Sequence, residues 1–163
     1  MIEAVLLVSR QGKVRLTKFY DQTPNKKEKQ QIVREVTSAV LARSQKMCNF
    51  IEYKGKKIVY KRYASLFFVF LVAAEDNELI MLETIHHYVE VLDQIFQNVC
   101  ELDIIFNFAQ SYYCLDEVIL GGHVQETSKR EVLRVCAAQD EMMGDDSSLD
   151  SRFAQLLQGV TRS

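Results

Sequence analysis

Tryptophan is missing from this chain, proline occurs once, and glycine occurs only six times in 163 residues. So small a supply of helix breakers excludes collagen-like and proline-rich low-complexity classes and leaves room for long elements. The four cysteines, Cys48, Cys100, Cys114 and Cys136, are widely spaced and form no CxxC pair. They are expected as reduced, mostly buried small hydrophobes; neither a disulfide framework nor a metal site is expected. The longest nearly unbroken apolar run, YASLFFVFLVAA at 63–74, is shorter than the roughly 20 residues of a membrane span. The first apolar run, interrupted by Glu3, is too short and wrongly flanked for a signal peptide. GxGxxG, GxxxxGK[ST], HExxH and GxSxG are all absent, so the usual phosphate cradle, zinc helix and nucleophile elbow lack their residues. A soluble cytoplasmic protein that is not an enzyme and has no cofactor is the expectation.

What is there suits one ordinary core. Hydrophobic residues make up 48% of the chain, and the length fits a single domain. The net charge of −2 conceals an asymmetry: residues 1–62 carry +10 and residues 63–163 carry −12. Such a split points either to two differently charged contact surfaces or to halves that simply mix on folding.

Along the chain, residues 4–8 are apolar at successive positions, as in a strand covered on both faces. A turn at Arg10-Gln11-Gly12-Lys13 follows, and alternation resumes through Val14, Leu16 and Phe19, which predicts a hairpin. In the next segment Thr23 is expected as helix cap, with Pro24 at the first helical position. Ile32, Val36 and Val40, widened by Val33 and Leu41, then mark an amphipathic helix. Residues 48–77 hold two or three strands, with a tight turn at Lys54-Gly55 and a central strand at 65–73. Asp76 or Asn77 can cap a helix whose apolar stripe runs Leu79, Leu82, Ile85, Val89, Leu92, Phe96. After a break near Val99-Cys100, helix is expected to continue until Gly121-Gly122 ends it. Thr127 or Ser128 would cap a last helix, and residues 143–163 read as a flexible tail after a domain at 1–142. Within the tail, Phe153, Leu156, Leu157 and Val160 leave open a short docking helix. Strands segregated from helices imply an α+β fold, an antiparallel sheet with helices packed on its faces.

Candidate chemistry is thin. Cys100 with His86 or His87 has nothing local to orient a base. The two histidines are adjacent on a helix and point about 100° apart, so they cannot chelate one metal; one is expected exposed and the other part-buried. Tyr53, Tyr60 and Tyr63 interleave with Lys and Arg, but a pI near 5.9 and their place on core-forming strands argue against nucleic acid. Arg15, taken alone, reads as a solvated strand-face arginine. Glu101 and Asp103 interrupt an apolar stretch where a helix starts, a place that suits carboxylates.

Six collinear segments, LLVSRQGKVRL, KMCNFIEY, VYKRYASLFF, NELIMLETIHHYVEVLD, NVCELDIIFNF and LDEVILGGHVQETSK, closely resemble the small (sigma) subunits of clathrin adaptor protein complexes. SRQGK, KMC, YKRYASL and NELI are most similar to the sigma type of adaptor protein complex 1. The resemblance implies a longin-like fold, a five-stranded antiparallel sheet with helices on both faces. It implies a heterotetramer in which the sigma chain packs directly on a large adaptin subunit, beside a second large subunit and a medium subunit. Clathrin and Arf GTPase contacts belong mainly to those other subunits, and membrane association is peripheral, at trans-Golgi and endosome membranes and coated vesicles. It implies further that the chain helps bind acidic dileucine signals, [D/E]xxxL[L/I], in the tails of membrane cargo. Carried over by position, the leucine pocket falls on Leu66, Val89, Asn98, Val99 and Ile104, with Ala64 nearby. Ile104 stands where other sigma chains carry leucine. The acidic signal residue would meet Arg15, helped by a basic residue of the large subunit. The resemblance also favours the subunit interface as the place for the basic half. The competing expectation is a free-standing longin domain that regulates a SNARE or small GTPase.

Overall fold

The computed structural model describes residues 1–124 and 131–138. Five strands form one antiparallel sheet: β1 (Ile2–Ser9), β2 (Val14–Phe19), β3 (Phe50–Tyr53), β4 (Lys56–Tyr63) and β5 (Leu66–Ala73), in the order β2-β1-β5-β4-β3. β5 is the middle strand and β1 lies beside it, which is why both are apolar at nearly every position. Each is roofed on both faces.

On one face lies α1 (Lys26–Leu41). Val36 and Val40 pack there on Ala4, Leu6, Ile58, Val69 and Leu71. The opposite face carries α2 (Glu78–Phe96), α3 (Glu101–Phe106), α4 (Phe108–Val118) and a helical segment at 131–138. Its core includes Val5, Leu7, Phe68, Phe70, Tyr88 and Leu92. Tyr88 is fully buried, meets Phe68 edge-on, and gives its hydroxyl proton to the Ser111 carbonyl at 2.9 Å. Cys114 and Cys136 are buried with sulfurs 3.0 Å apart, so the 131–138 helix lies against α4. None of the helices among the described residues is long and apolar enough to cross a membrane.

Four local expectations need correction. α1 starts at Lys26, not at Pro24. Asn25 accepts the Glu28 amide at 3.0 Å while Glu28 accepts the Asn25 amide at 2.8 Å, and that reciprocal capping box outcompetes Thr23. Leu79 is exposed instead of packed; Met81 and Tyr88 fill the buried face of α2, which Asn77 caps. The helix after residue 100 is interrupted at Asn107, whose φ of −120° and ψ of 44° leave helical geometry. Gly121 and Gly122 do not end that helix, since α4 stops at Val118. They form the two-residue turn of a small hairpin, Ile119–Leu120 against His123–Val124, with φ of 57° and 87°. Gly122 has a second constraint: its carbonyl accepts the Ile2 amide at 2.8 Å, and a Cβ there would lie 2.5 Å from the Ile2 oxygen.

Other expectations concern the caps Thr127 and Ser128, the boundary at residue 142 and the docking stripe Phe153–Val160. These lie outside the described residues.

Candidate functional site

The site is built where β2 meets α3. Leu7 pairs with Leu16 but Val8 pairs with Val14, so Arg15 is an extra residue with no partner on β1. Such a bulge turns a strand and re-aims its side chain. Its effect is visible on the neighbours: Val14 packs on the α1 side and Leu16 is buried on the α2 side. The expected alternation, which put both on one face, fails for this reason.

Arg15 therefore reaches toward α3, and its Nε donates to Glu101 Oε1 at 2.6 Å. Two further links fasten β2 to α4. The Thr17 amide donates to Tyr112 Oη at 3.2 Å, Tyr112 returns its hydroxyl proton to the Thr17 carbonyl, and Lys18 pairs with Asp116. Partial burial holds the Lys18 ammonium below the usual lysine range.

The two acids at the start of α3 have separate jobs. Asp103 caps the helix by accepting the Cys100 amide at 2.9 Å; Glu101 pairs with Arg15. Reading both as helix-start carboxylates was right in position and incomplete in role.

Of the residues expected to hold the leucines, Leu66, Val89, Val99 and Ile104 all belong to the large buried core on the α2 side of the sheet, each exposed by 3% or less. The chain on its own keeps that core closed. Ala64 and Asn98 are exposed, each in the loop just before one of these residues, and both have left-handed backbones, with φ of 52° and 74°. Backbone of that kind costs a non-glycine residue about 1–2 kcal/mol and needs outside support.

Asp93 supplies it. The last turn of α2 ends with the amides of Gln97 and Asn98 both donating to the Asp93 carbonyl. Asp93 Oδ1 accepts the Val99 amide at 3.0 Å and the Tyr63 hydroxyl at 2.8 Å. That hydrogen bond, with some desolvation, raises the Tyr63 phenol above its usual pKa. Sequence reasoning missed Asp93, because a polar residue near the end of an amphipathic helix carries no distinguishing signal.

Outside this corner, Leu102, Ile105, Phe106 and Phe108 stand exposed on α3 and the start of α4, with Phe106 79% accessible. A groove of about 1080 Å³ lies on the other face between β2 and α1. Val14, Phe19, Val33, Leu41, Lys29 and Arg34 are among the residues that line it, and none of the lining residues is a carboxylate. His86 is exposed and His87 half-buried, as expected.

The sequence profile of the clathrin adaptor complex small chain family matches residues 1–143. The AP-1 complex subunit sigma-2 of Arabidopsis thaliana is 55% identical over 159 residues, 95% of this chain and 98% of that protein. The human AP-1 complex subunit sigma-1A is 53% identical over 148 residues, 91% and 93% of the two chains. In structure, this chain is similar to one in a homology model of the full-length AP-3 complex in a stretched open conformation. The TM-score is 0.69 at 29% identity, over 93% of this chain and 99% of that one.

Proposed function

The chain belongs to the clathrin adaptor complex small chain family, and from that premise we propose that it helps an adaptor of the adaptor protein complex 1 type hold acidic dileucine signals. In this reading it is a non-catalytic subunit of a heterotetramer. It packs directly on a large adaptin, beside a second large subunit and a medium subunit. The complex is peripheral on trans-Golgi and endosome membranes, and clathrin and Arf GTPase are reached through the other subunits.

One observation carries the cargo reading. The bulge at β2 turns Arg15 toward α3, the same short helix whose Ile104 enters the buried core that also holds Leu66, Val89 and Val99. A cation and an apolar core, joined by a six-residue helix, suit a ligand with an acid followed by two leucines. Ala64 and Asn98 lie just before Leu66 and Val99, where the chain can give way to admit them.

The energies agree with a sorting role. Two leucines leaving water contribute about 1.5–3 kcal/mol each, and a charge-assisted hydrogen bond adds about 1.5–3 kcal/mol. Association and ordering of a flexible tail cost about 4–15 kcal/mol. The remainder is weak, micromolar binding, which many adaptors on one membrane raise by avidity.

Two surfaces fit the assembly. The exposed apolar residues of α3 and α4 are a patch that a lone soluble protein would be expected to cover, and we assign it to the large subunit. The basic groove at α1 suits an acidic surface of the same assembly.

The test uses the assembled complex and a labelled acidic dileucine peptide. Binding should disappear when both leucines are replaced by serine; equal binding of the two peptides would refute the reading. Co-elution of this chain with two large chains and a medium chain from its native source is expected. Elution as a lone monomer would favour a free-standing longin domain.

A further inference from the structure

Glu101 does something that its position at the start of α3 does not require. The cap of that helix is Asp103, which accepts the Cys100 amide. Glu101 is left to turn sideways, and its carboxylate sits 2.6 Å from Arg15 Nε. Among the described residues it is the only acceptor within hydrogen-bonding reach of that guanidinium.

We propose that Glu101 is an internal substitute for the acidic residue of the cargo signal, and that it must release Arg15 before the signal's carboxylate can take its place. The inference rests on the cargo reading above and names the residue that tunes it. The chemistry is matched: a glutamate side chain already presents to Arg15 the same group that a [D/E] signal residue would bring. The electrostatics make it a competitor. A guanidinium already paired offers an incoming anion little net attraction, and two carboxylates crowded on one cation repel each other.

The geometry permits the exchange. Arg15 sits in a bulge and has no ladder partner to lose. The pair is 26% and 23% exposed, so water can solvate the released Glu101 without opening the core. Asp103 keeps α3 capped throughout.

A consequence follows for selectivity. The acidic position of the signal contributes only the difference between its own contact with Arg15 and the one it replaces. A signal with a neutral residue there leaves the Arg15–Glu101 pair intact. Glu101 thereby narrows the advantage of acidic signals over neutral ones and keeps binding readily reversible.

The test compares assembled complexes carrying wild-type chain, Glu101→Gln or Glu101→Ala. Each is titrated with an acidic dileucine peptide and with the same peptide bearing glutamine at the acidic position. Glutamine keeps an acceptor for Arg15 Nε and removes the charge. Both variants should bind the acidic peptide roughly two- to five-fold tighter, the range that coupling in a part-exposed ion pair allows, with the neutral peptide unchanged. Unchanged or weaker acidic-peptide binding in both variants would overturn the proposal; weaker binding would make Glu101 a support that holds Arg15 in place. Arg15→Ser separates the two levels. If it fails to reduce the preference for acidic over neutral peptide, the cargo contact at Arg15 itself falls and this inference with it. If it erases that preference while the Glu101 variants match wild type, only the competition is wrong.

Discussion

The amide of Val99 donates to Asp93 Oδ1 at 3.0 Å, six residues back across the corner between α2 and α3. That single contact sets where the chain leaves α2 and so where Val99 and, five residues on, Ile104 enter the core. The same oxygen takes the Tyr63 hydroxyl, which ties the corner to the end of β4.

Asp93→Ala should therefore loosen the corner. A buried amide losing a charged acceptor costs about 1.5–3 kcal/mol. Hydrogen exchange at Val99 should accelerate accordingly, while amides of β1 and β5 stay protected. The Tyr63 phenol, raised chiefly by Asp93, should titrate closer to the usual value in the variant. The sign is that of a raised folded pKa: the Tyr63 contribution is complete below pH about 10, the ordinary tyrosine value, and is lost as pH rises through the folded value. Unaltered exchange at Val99 would show that the corner does not depend on Asp93.

Glu35 should titrate far below an ordinary glutamate. Hydrogen bonds from Lys54 and Tyr53, and then from Gln31, lower its pKa from 4.5 to about 2. Because the folded value is depressed, its link between α1 and the β3–β4 turn is complete above 4.5 and is lost as pH falls toward about 2. Carboxyl NMR of Glu35 checks this; a midpoint near 4.5 would mean that the three donors do not hold it.

The Gly121-Gly122 turn should distinguish its two residues. Both have positive φ, which costs alanine about 1–2 kcal/mol. Gly121→Ala meets nothing within 4 Å, whereas a Cβ at Gly122 would strike the Ile2 carbonyl. Gly122→Ala should lower the thermal midpoint clearly more than Gly121→Ala. Equal shifts would contradict the close approach of this turn to β1.

Phe106→Asp should weaken assembly with the large subunit and leave the fold of this chain intact, since the side chain is mostly in water. Co-purification yield is the measurement, with circular dichroism as the control for folding. Full assembly of the variant would remove the α3–α4 patch from the interface.

How much of this could be read beforehand depends on the kind of signal each feature leaves. The central place of β5 was legible because a middle strand, covered on both faces, is apolar at almost every position. The amphipathic stripe located α1, but its start was misplaced, because Thr23-Pro24 and the Asn25–Glu28 box are both good caps and only backbone geometry chooses between them. The Arg15 bulge leaves no trace in composition; it arises from pairing with β1, so simple alternation places Val14 and Leu16 on one face whereas they lie on two. On its own residues Arg15 looked like surface, and only the resemblance singled it out. Glu101 and Asp103 were placed correctly at a helix start, yet their division of labour needed the fold, since Arg15 and Glu101 are 86 positions apart. Asp93 is silent in the sequence because a polar residue near the end of an amphipathic helix carries no distinguishing signal.

The most direct measurement of the central claim is titration of an acidic dileucine peptide against the assembled complex carrying Arg15→Ser. The account predicts that assembly is unaffected and that peptide affinity falls by roughly three-fold or more, the loss of a charge-assisted hydrogen bond less the two- to five-fold that displacing Glu101 already costs. An affinity equal to that of the wild-type complex would contradict it.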